Sequence, residues 1–255
     1  MKIYSYVGAG NDFILLPDFE EKIPDGDIPA LAKKLCHREN GRNVDGFMLL
    51  RKSPDAHCRM LFYNSDGSTA EMCGNGARCL CRFLHDYGFA GEIQRIATPA
   101  GIVTGQWLGG DQYRIRLNSP SVSHISEELS YVELGEPGIP HVVLPRPEAP
   151  DRDALRDFAR KLRYNPRFPR GANVNLYRLT GENRLELLTY ERGVEDFTLA
   201  CGTGTGATVY ALTRLGKLSG IHTEVCNEGG ILYVDVSEEQ NATALYLSGP
   251  AEEQH

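Results

Sequence analysis

The sequence predicts an α+β fold made of two copies of one unit. Three observations carry that reading. Segments of the first half recur in the second half in the same order: Cys73 falls on Cys201, Tyr63 on Tyr190, Gly88 on Gly216, "AKKL" on "ARKL", "NV" at Asn43 on "NV" at Asn173, "GIV" on "GIL" and "LNSP" on "LSGP", all at spacings of 127 to 130 residues. Each copy mixes β-rich and helical stretches without reading as a regular βαβ alternation. Each copy also places one cysteine directly before a glycine-rich turn, "EMCGNGARCL" and "LACGTGTGAT". A period this long is a duplicated domain and not a solenoid repeat. The copies are expected at 1–120 and 121–255, with a C-terminal strand near 243–250 able to pack with the first copy. Pseudo-symmetric copies of this kind would hold a site in the cleft between them.

Within each copy the elements follow one order. A short strand leads through a loop to a helix, "IPALAKKLCH" in the first copy and "DALRDFARKL" in the second. The β-rich "MLFYNS" and "LELLTY" read as strands. The cysteine turn then opens a second helix. In the first copy Leu80, Phe83, Leu84 and Tyr87 keep the i, i+3, i+4, i+7 spacing of a buried helix face. Gly88 is placed to end that helix in a left-handed cap. A hairpin closes each copy, with turns expected at Gly109-Gly110 and near 239–241.

Composition narrows the function classes. The chain has 255 residues, 41% hydrophobic content, a net charge of −7 and a pI near 5.5. That balance disfavours nucleic acid as a partner. No apolar run is long enough for a transmembrane helix, and "MKIYSYVGAG" is too polar for a signal peptide. Seven cysteines without framework spacing point to reduced thiols and a cytoplasmic protein.

The two thiol turns suggest chemistry. Glycines at a strand-to-helix junction let backbone N–H groups face an anion. The helix N-terminus carries about half a positive charge and favours a thiolate. Two such turns facing one ligand suit a carboxylic acid with a labile proton on the adjacent carbon. One thiolate takes the proton from one face and the other thiol returns a proton to the opposite face, which inverts the stereocentre. A single base would restore the starting isomer.

With "GAGNDFILL", "NSDGSTAEMCGNGARC" and "ERGVEDFTLACGTGTGA", the chain resembles the diaminopimelate epimerase family over nearly its whole length. The resemblance implies an isomerase that works without pyridoxal phosphate or any other cofactor and without a metal. It would interconvert LL- and meso-diaminopimelate in lysine and peptidoglycan precursor synthesis. It implies Cys73 and Cys201 as the paired acid and base, supported by His141 and Glu191. Asn11 and Gly46 match positions near the reacting amino group. Gly74 and Asn75, with Gly202 and Thr203, match the two cradles of the reacting carboxylate. Asn64, Asn173, Glu191 and Arg192 match positions that hold the far end of the substrate, where an arginine fork can grip a second carboxylate. The partner so implied is a small amino acid with two carboxylates, with pairing into a homodimer possible. One departure stands out: the family often has Asn two residues before the histidine, and this chain has Ile139. Selectivity for another amino acid, such as histidine, stays open on that account.

Other readings compete with these. "GTGTGA", with Glu224 about 20 residues on, also fits a dinucleotide fingerprint and hence an oxidoreductase. That alternative leaves the duplicated cysteine without a role. A non-catalytic anion-binding protein is a third reading. Cys36, Cys58, Cys79, Cys81 and Cys226 read as buried small hydrophobes. The spacing of Cys73, Cys79 and Cys81 does not fit a zinc site.

Overall fold

The computed structural model describes every residue except 40–42, 71, 150, 241 and 255. Glu71 of the first thiol motif and Asn241 of the second hairpin turn therefore lie outside the described residues. The chain forms two compact units, one of Met1–Ile115 with Ser248–His255 and the other of Arg116–Leu247.

The chain opens with β1 (Tyr4–Gly8) and β2 (Asn11–Pro17), paired as an antiparallel hairpin through Gly8↔Asn11. The sequence suggested one strand here. The turn is hidden because Ala9 adopts φ 49° beside Gly10 at 78°, and alanine seldom sits in the left-handed region. A 3₁₀ turn (Asp25–Asp27) leads into α1 (Ile28–Cys36). Next come β3 (Gly46–Arg51), β4 (Cys58–Asn64), the short β5 (Thr69–Ala70) and α2 (Gly74–Asp86). The strands β6 (Ile93–Thr98), β7 (Gly101–Gly109), β8 (Gln112–Leu117) and β9 (Pro120–His124) follow. The hairpin turn between β7 and β8 falls one residue later than the glycine pair suggested, at Gly110 and Asp111, because Gly109 pairs with Gln112 across a bulge.

The second half repeats this series. It runs through β10 (Ser130–Leu134), β11 (Ile139–Pro145), α3 (Arg152–Arg163), β12 (Asn173–Gly181), β13 (Arg184–Glu191) and β14 (Asp196–Thr198). It ends with α4 (Gly202–Arg214), β15 (Thr223–Asn227), β16 (Gly230–Glu239), β17 (Ala242–Pro250) and β18 (Glu252–Gln254). Parallel crossovers do occur within each unit: β2 pairs with β3 and β4 with β6 in the first, β11 with β12 and β13 with β15 in the second. Antiparallel β3–β4 and β12–β13 pairs separate them, so the sheets are mixed.

Each unit buries two kinds of helix. The amphipathic α1 and α3 cover one face of the strands. Their cores use matching positions 127 residues apart: Ile28 and Leu155, Ala32 and Ala159, Phe47 and Val174, Leu49 and Leu176, Tyr63 and Tyr190. By contrast, α2 and α4 are enclosed, with residues 74–81 buried without interruption in α2 and 204–212 in α4. An enclosed helix has its N-terminus fixed by strands on several sides, which is what a site needs. Tyr87 leaves the expected buried face of α2. It caps the helix at 38% exposure and bonds through its hydroxyl to Glu253 Oε1 at 2.9 Å.

The terminal strands are exchanged relative to the sequence repeat. At the end of the first half, β9 pairs with β10 of the second unit, and at the end of the second half, β18 pairs with β1 of the first.

Candidate active site

Both cysteines cap an enclosed helix. Cys73 has extended backbone (φ −132°, ψ 114°), and its Sγ accepts the Gly76 N–H at 3.4 Å. Cys201 has nearly the same backbone (φ −116°, ψ 109°), and its Sγ lies 3.5 Å from Thr203 Oγ1. The first intrahelical acceptor is the cysteine carbonyl in each case, bonded to Ala77 N and Thr205 N at 2.8 Å. The amides of Gly74 and Asn75, and of Gly202 and Thr203, therefore precede the helical ladder, where donors take an anion. Gly76 lets the first turn of α2 pack closely on Met48, since a Cβ there would lie 3.2 Å from the Met48 sulfur.

In the first unit a hydrogen-bond relay runs beneath the Cys73 turn. Arg78 NH2 donates to Asn75 Oδ1 (2.9 Å), Asn75 Nδ2 donates to Asn11 Oδ1 (2.6 Å), and Asn11 Nδ2 donates to Asp45 Oδ2 (3.1 Å). An arginine can only donate and an ionised aspartate only accepts, so the two ends fix which way both amides point. Arg78 is fully buried, and burial lowers its pKa while the neighbouring Cys79, Cys73 and Cys81 act in the opposite sense. It remains a cation, as arginine does in proteins. Gly46 is buried opposite Asn64 in the β3–β4 ladder, and a side chain there would run into the Phe62 ring. Asn64 is tied into the turn that follows, its Nδ2 donating to Ser68 Oγ at 2.9 Å.

In the second unit a polar group is sealed under the Cys201 turn. His141 on β11 and Asn173 on β12 sit side by side in the parallel ladder. Asn173 Oδ1 accepts the Arg192 N–H at 2.7 Å, and its Nδ2 donates to the Pro140 carbonyl at 3.3 Å. Arg192 NH1 donates to the Arg170 carbonyl at 3.1 Å. Glu191, half-buried at the end of β13, accepts Thr198 Oγ1 at 3.0 Å. His141 is fully buried, and burial, with Arg192 nearby, pushes its pKa down to about 3. It is therefore neutral at any ordinary pH.

The remaining cysteines divide. Cys36, Cys58, Cys79 and Cys81 are fully buried, and burial raises their pKa values, to about 11 for Cys36 and about 12 for Cys58 and Cys79. They are inert thiols of the core. Cys226 differs from the expectation: it is half-buried, because its side of β15 faces Arg184 and Glu224 and not the core. Among the described residues no group of three or more His, Cys, Asp and Glu is arranged to hold a metal, and no helix is long and apolar enough to cross a membrane.

Comparison with known proteins identifies the family. The family described as diaminopimelate epimerase matches residues 3–122 and 135–253. The chain belongs to the diaminopimelate epimerase family. The diaminopimelate epimerase of Archaeoglobus fulgidus is 35% identical over 96% of this chain and 91% of its own length. That of Flavobacterium psychrophilum is 35% identical over 99% and 97%. Among solved structures, a Bacillus anthracis phenazine biosynthesis protein of the PhzF family has the same fold. It has a TM-score of 0.75 at 15% identity, covering 100% of this chain and 98% of that one. A probable proline racemase from Agrobacterium radiobacter also shares the fold, with a TM-score of 0.67 at 15% identity over 99% and 92%.

As a member of the diaminopimelate epimerase family, the chain divides its candidate residues between its units. Asn11, Gly46, Asn64, Cys73, Gly74 and Asn75 lie in the first, and His141, Asn173, Glu191, Arg192, Cys201, Gly202 and Thr203 in the second. Four further polar residues enter the arrangement: Asp45 and Arg78 in the relay, Asn175 beside His141, and Thr189 bonded to Asn175. A signal for Asn175 was present in "NVNLY". Asn173 and Asn175 share one strand face, and a second polar residue on an inward face asks for a partner.

Proposed function

We propose that this diaminopimelate epimerase family member interconverts LL- and meso-diaminopimelate by moving a proton at the α-carbon. The observation that carries the reading is the pair of thiols, Cys73 and Cys201, each capping the glycine-rich start of an enclosed helix. One sulfur, as thiolate, takes the α-proton. The electron pair moves into the carboxylate, whose growing charge is stabilised by preorganised N–H groups of residues 74–75 and 202–203. The other thiol delivers its proton to the opposite face. Two thiols and backbone amides supply this chemistry.

The other assignments belong to the same proposal. Asn11 and Gly46 lie near the reacting ammonium group, which Asn11 receives. The relay from Arg78 fixes the Asn11 carbonyl oxygen toward Asn75, which leaves that oxygen a second lone pair to accept from an ammonium. Asn64, Asn173, Glu191 and Arg192 hold the distal end, and His141 and Glu191 support the thiols. Such an enzyme works on a small substrate in lysine and cell-wall precursor synthesis. It needs reduced thiols and hence the cytoplasm.

The test is incubation of reduced protein with LL-diaminopimelate in deuterated water. Deuterium is expected at the α-carbon together with the meso isomer, and neither product in Cys73→Ala or Cys201→Ala. No deuterium with the intact protein would reject the proposal. Ile139 favours keeping a second substrate class in the same assay, because this half-buried apolar side chain stands where the family often has Asn. Faster exchange on histidine than on diaminopimelate would move the assignment to that amino acid.

A further inference from the structure

The polar group under the Cys201 turn fixes the proton of His141. Asn175 is fully buried on β12, directly opposite Thr189 of β13. One end of its amide lies 2.9 Å from the Val142 carbonyl, 3.5 Å from the Asn173 carbonyl and 3.3 Å from His141 Nδ1. A carbonyl can only accept, so that end is the NH₂ group. The other end, Oδ1, accepts the Thr189 hydroxyl at 3.0 Å. The amide cannot turn over without setting oxygen against two carbonyls. An NH₂ group offers no lone pair, so the imidazole nitrogen that meets it must present one. His141 Nδ1 is therefore the acceptor, and the proton of the neutral ring sits on Nε2. That nitrogen is buried and has no hydrogen-bond partner among the described residues.

We propose that Asn175 is a positioning residue that holds His141 as the Nε2-protonated neutral tautomer, so that His141 serves the reaction as a hydrogen-bond donor and not as a base. The part that concerns the reaction rests on the epimerase reading above. A buried donor without a partner is costly, and a thiolate or substrate oxygen meeting Nε2–H would relieve that cost only while the negative charge is present. Deep burial, which keeps the ring neutral, acts in the same direction. The first turn of α4 locks the pair in place. A Cβ at Gly204 would run into Asn175 Oδ1 and lie 3.1 Å from Thr189 Oγ1, so the helix packs directly on the Asn175–Thr189 bond.

The experiment reads the tautomer itself. Long-range ¹H–¹⁵N correlation on protein labelled at histidine is expected to show, for His141, a pyridine-like Nδ1 and a pyrrole-like Nε2. The signal is assigned by its loss in His141→Gln. Asn175→Asp turns an acceptor toward Nδ1. It should move the proton there or produce the imidazolium, and lower kcat about 10- to 100-fold, the scale on which a histidine's orienting partner acts, with KM little changed. If Asn175→Asp does not fold, Thr189→Val frees Oδ1 and should give both tautomers in mixture with a smaller loss of kcat. An Nδ1-protonated or doubly protonated ring in the unmodified protein overturns the proposal. So does a folded Asn175→Asp with an unchanged spectrum and unchanged kcat. The spectrum needs no substrate, so an Nε2–H signature without any exchange chemistry would refute the epimerase reading and leave the positioning role standing.

Discussion

Very little holds the guanidinium at Arg78. Its NH2 bonds to Asn75, while Nε and NH1 meet no partner among the described residues, and the side chain is fully buried. A charge so placed is costly to stability and useful to the relay that orients Asn11. Arg78→Met should therefore leave the thermal midpoint unchanged or raise it, since the desolvation cost of the cation goes with it. It should raise KM about tenfold or more, the equivalent of a lost charged hydrogen bond of about 1.5–3 kcal/mol. A lower midpoint with unchanged KM would mean that Arg78 is structural only.

His141 makes a separate prediction about pH. Its folded pKa, about 3, lies below the ordinary value of 6.5, so between these values the unfolded chain binds the proton and the folded one does not. Stability is then full above about pH 6.5 and falls as the pH drops toward 3, by up to about 1.4 kcal/mol per pH unit from this residue. Urea unfolding between pH 7 and 5 should show a shallower slope in His141→Gln than in the parent; equal slopes would contradict the burial. The helix starts at the two cysteine turns could be read from the sequence because a glycine-rich junction after a strand has a local meaning. Arg78 and Asn175 could not be assigned the same way. Each is a polar residue at an inward position, and its purpose depends on a partner 3 to 34 residues away.

At the scale of elements, the ends of α2 and α4 show how far local rules reach. Both close with the same bond, Phe89 N to Leu84 O and Lys217 N to Leu212 O, each 2.9 Å, around a left-handed glycine, Gly88 at φ 70° and Gly216 at φ 69°. A Cβ at either glycine would meet nothing within 4 Å, so the cost of alanine there is purely conformational. Gly88→Ala and Gly216→Ala should each destabilise by about 1–2 kcal/mol in urea unfolding and leave kcat alone. A larger loss, or a loss of activity, would point to contacts that the backbone argument omits. These caps, and helices α1 and α3, could be read because capping and amphipathic periodicity are properties of neighbours in sequence. The β1–β2 hairpin could not, because its turn uses an alanine where the rule asks for glycine or asparagine.

For the whole molecule, the sequence repeat and the compact unit are different objects. Copying of residues made the repeat visible, whereas strand exchange leaves no periodic mark. The first unit depends on β18, whose register against β1 runs Ser5↔Gln254, Tyr6↔Glu253 and Val7↔Glu252. Removing residues 252–255 should bare the β1 edge, lose the Tyr87–Glu253 bond and cost about 2–4 kcal/mol at roughly 1 kcal/mol per hydrogen bond. The single tryptophan, Trp107, lies in the first unit, so fluorescence-detected unfolding reads the loss where it occurs. An unshifted midpoint would mean that β18 contributes nothing to that unit.

The exchange also sets an order of completion during translation. β1 is synthesised before the entire 116–247 unit, and its outer neighbour emerges only after that unit has been made. The unit begun first is thus the one finished last, and a nascent chain must shelter an unpaired β1 edge while the other unit is made.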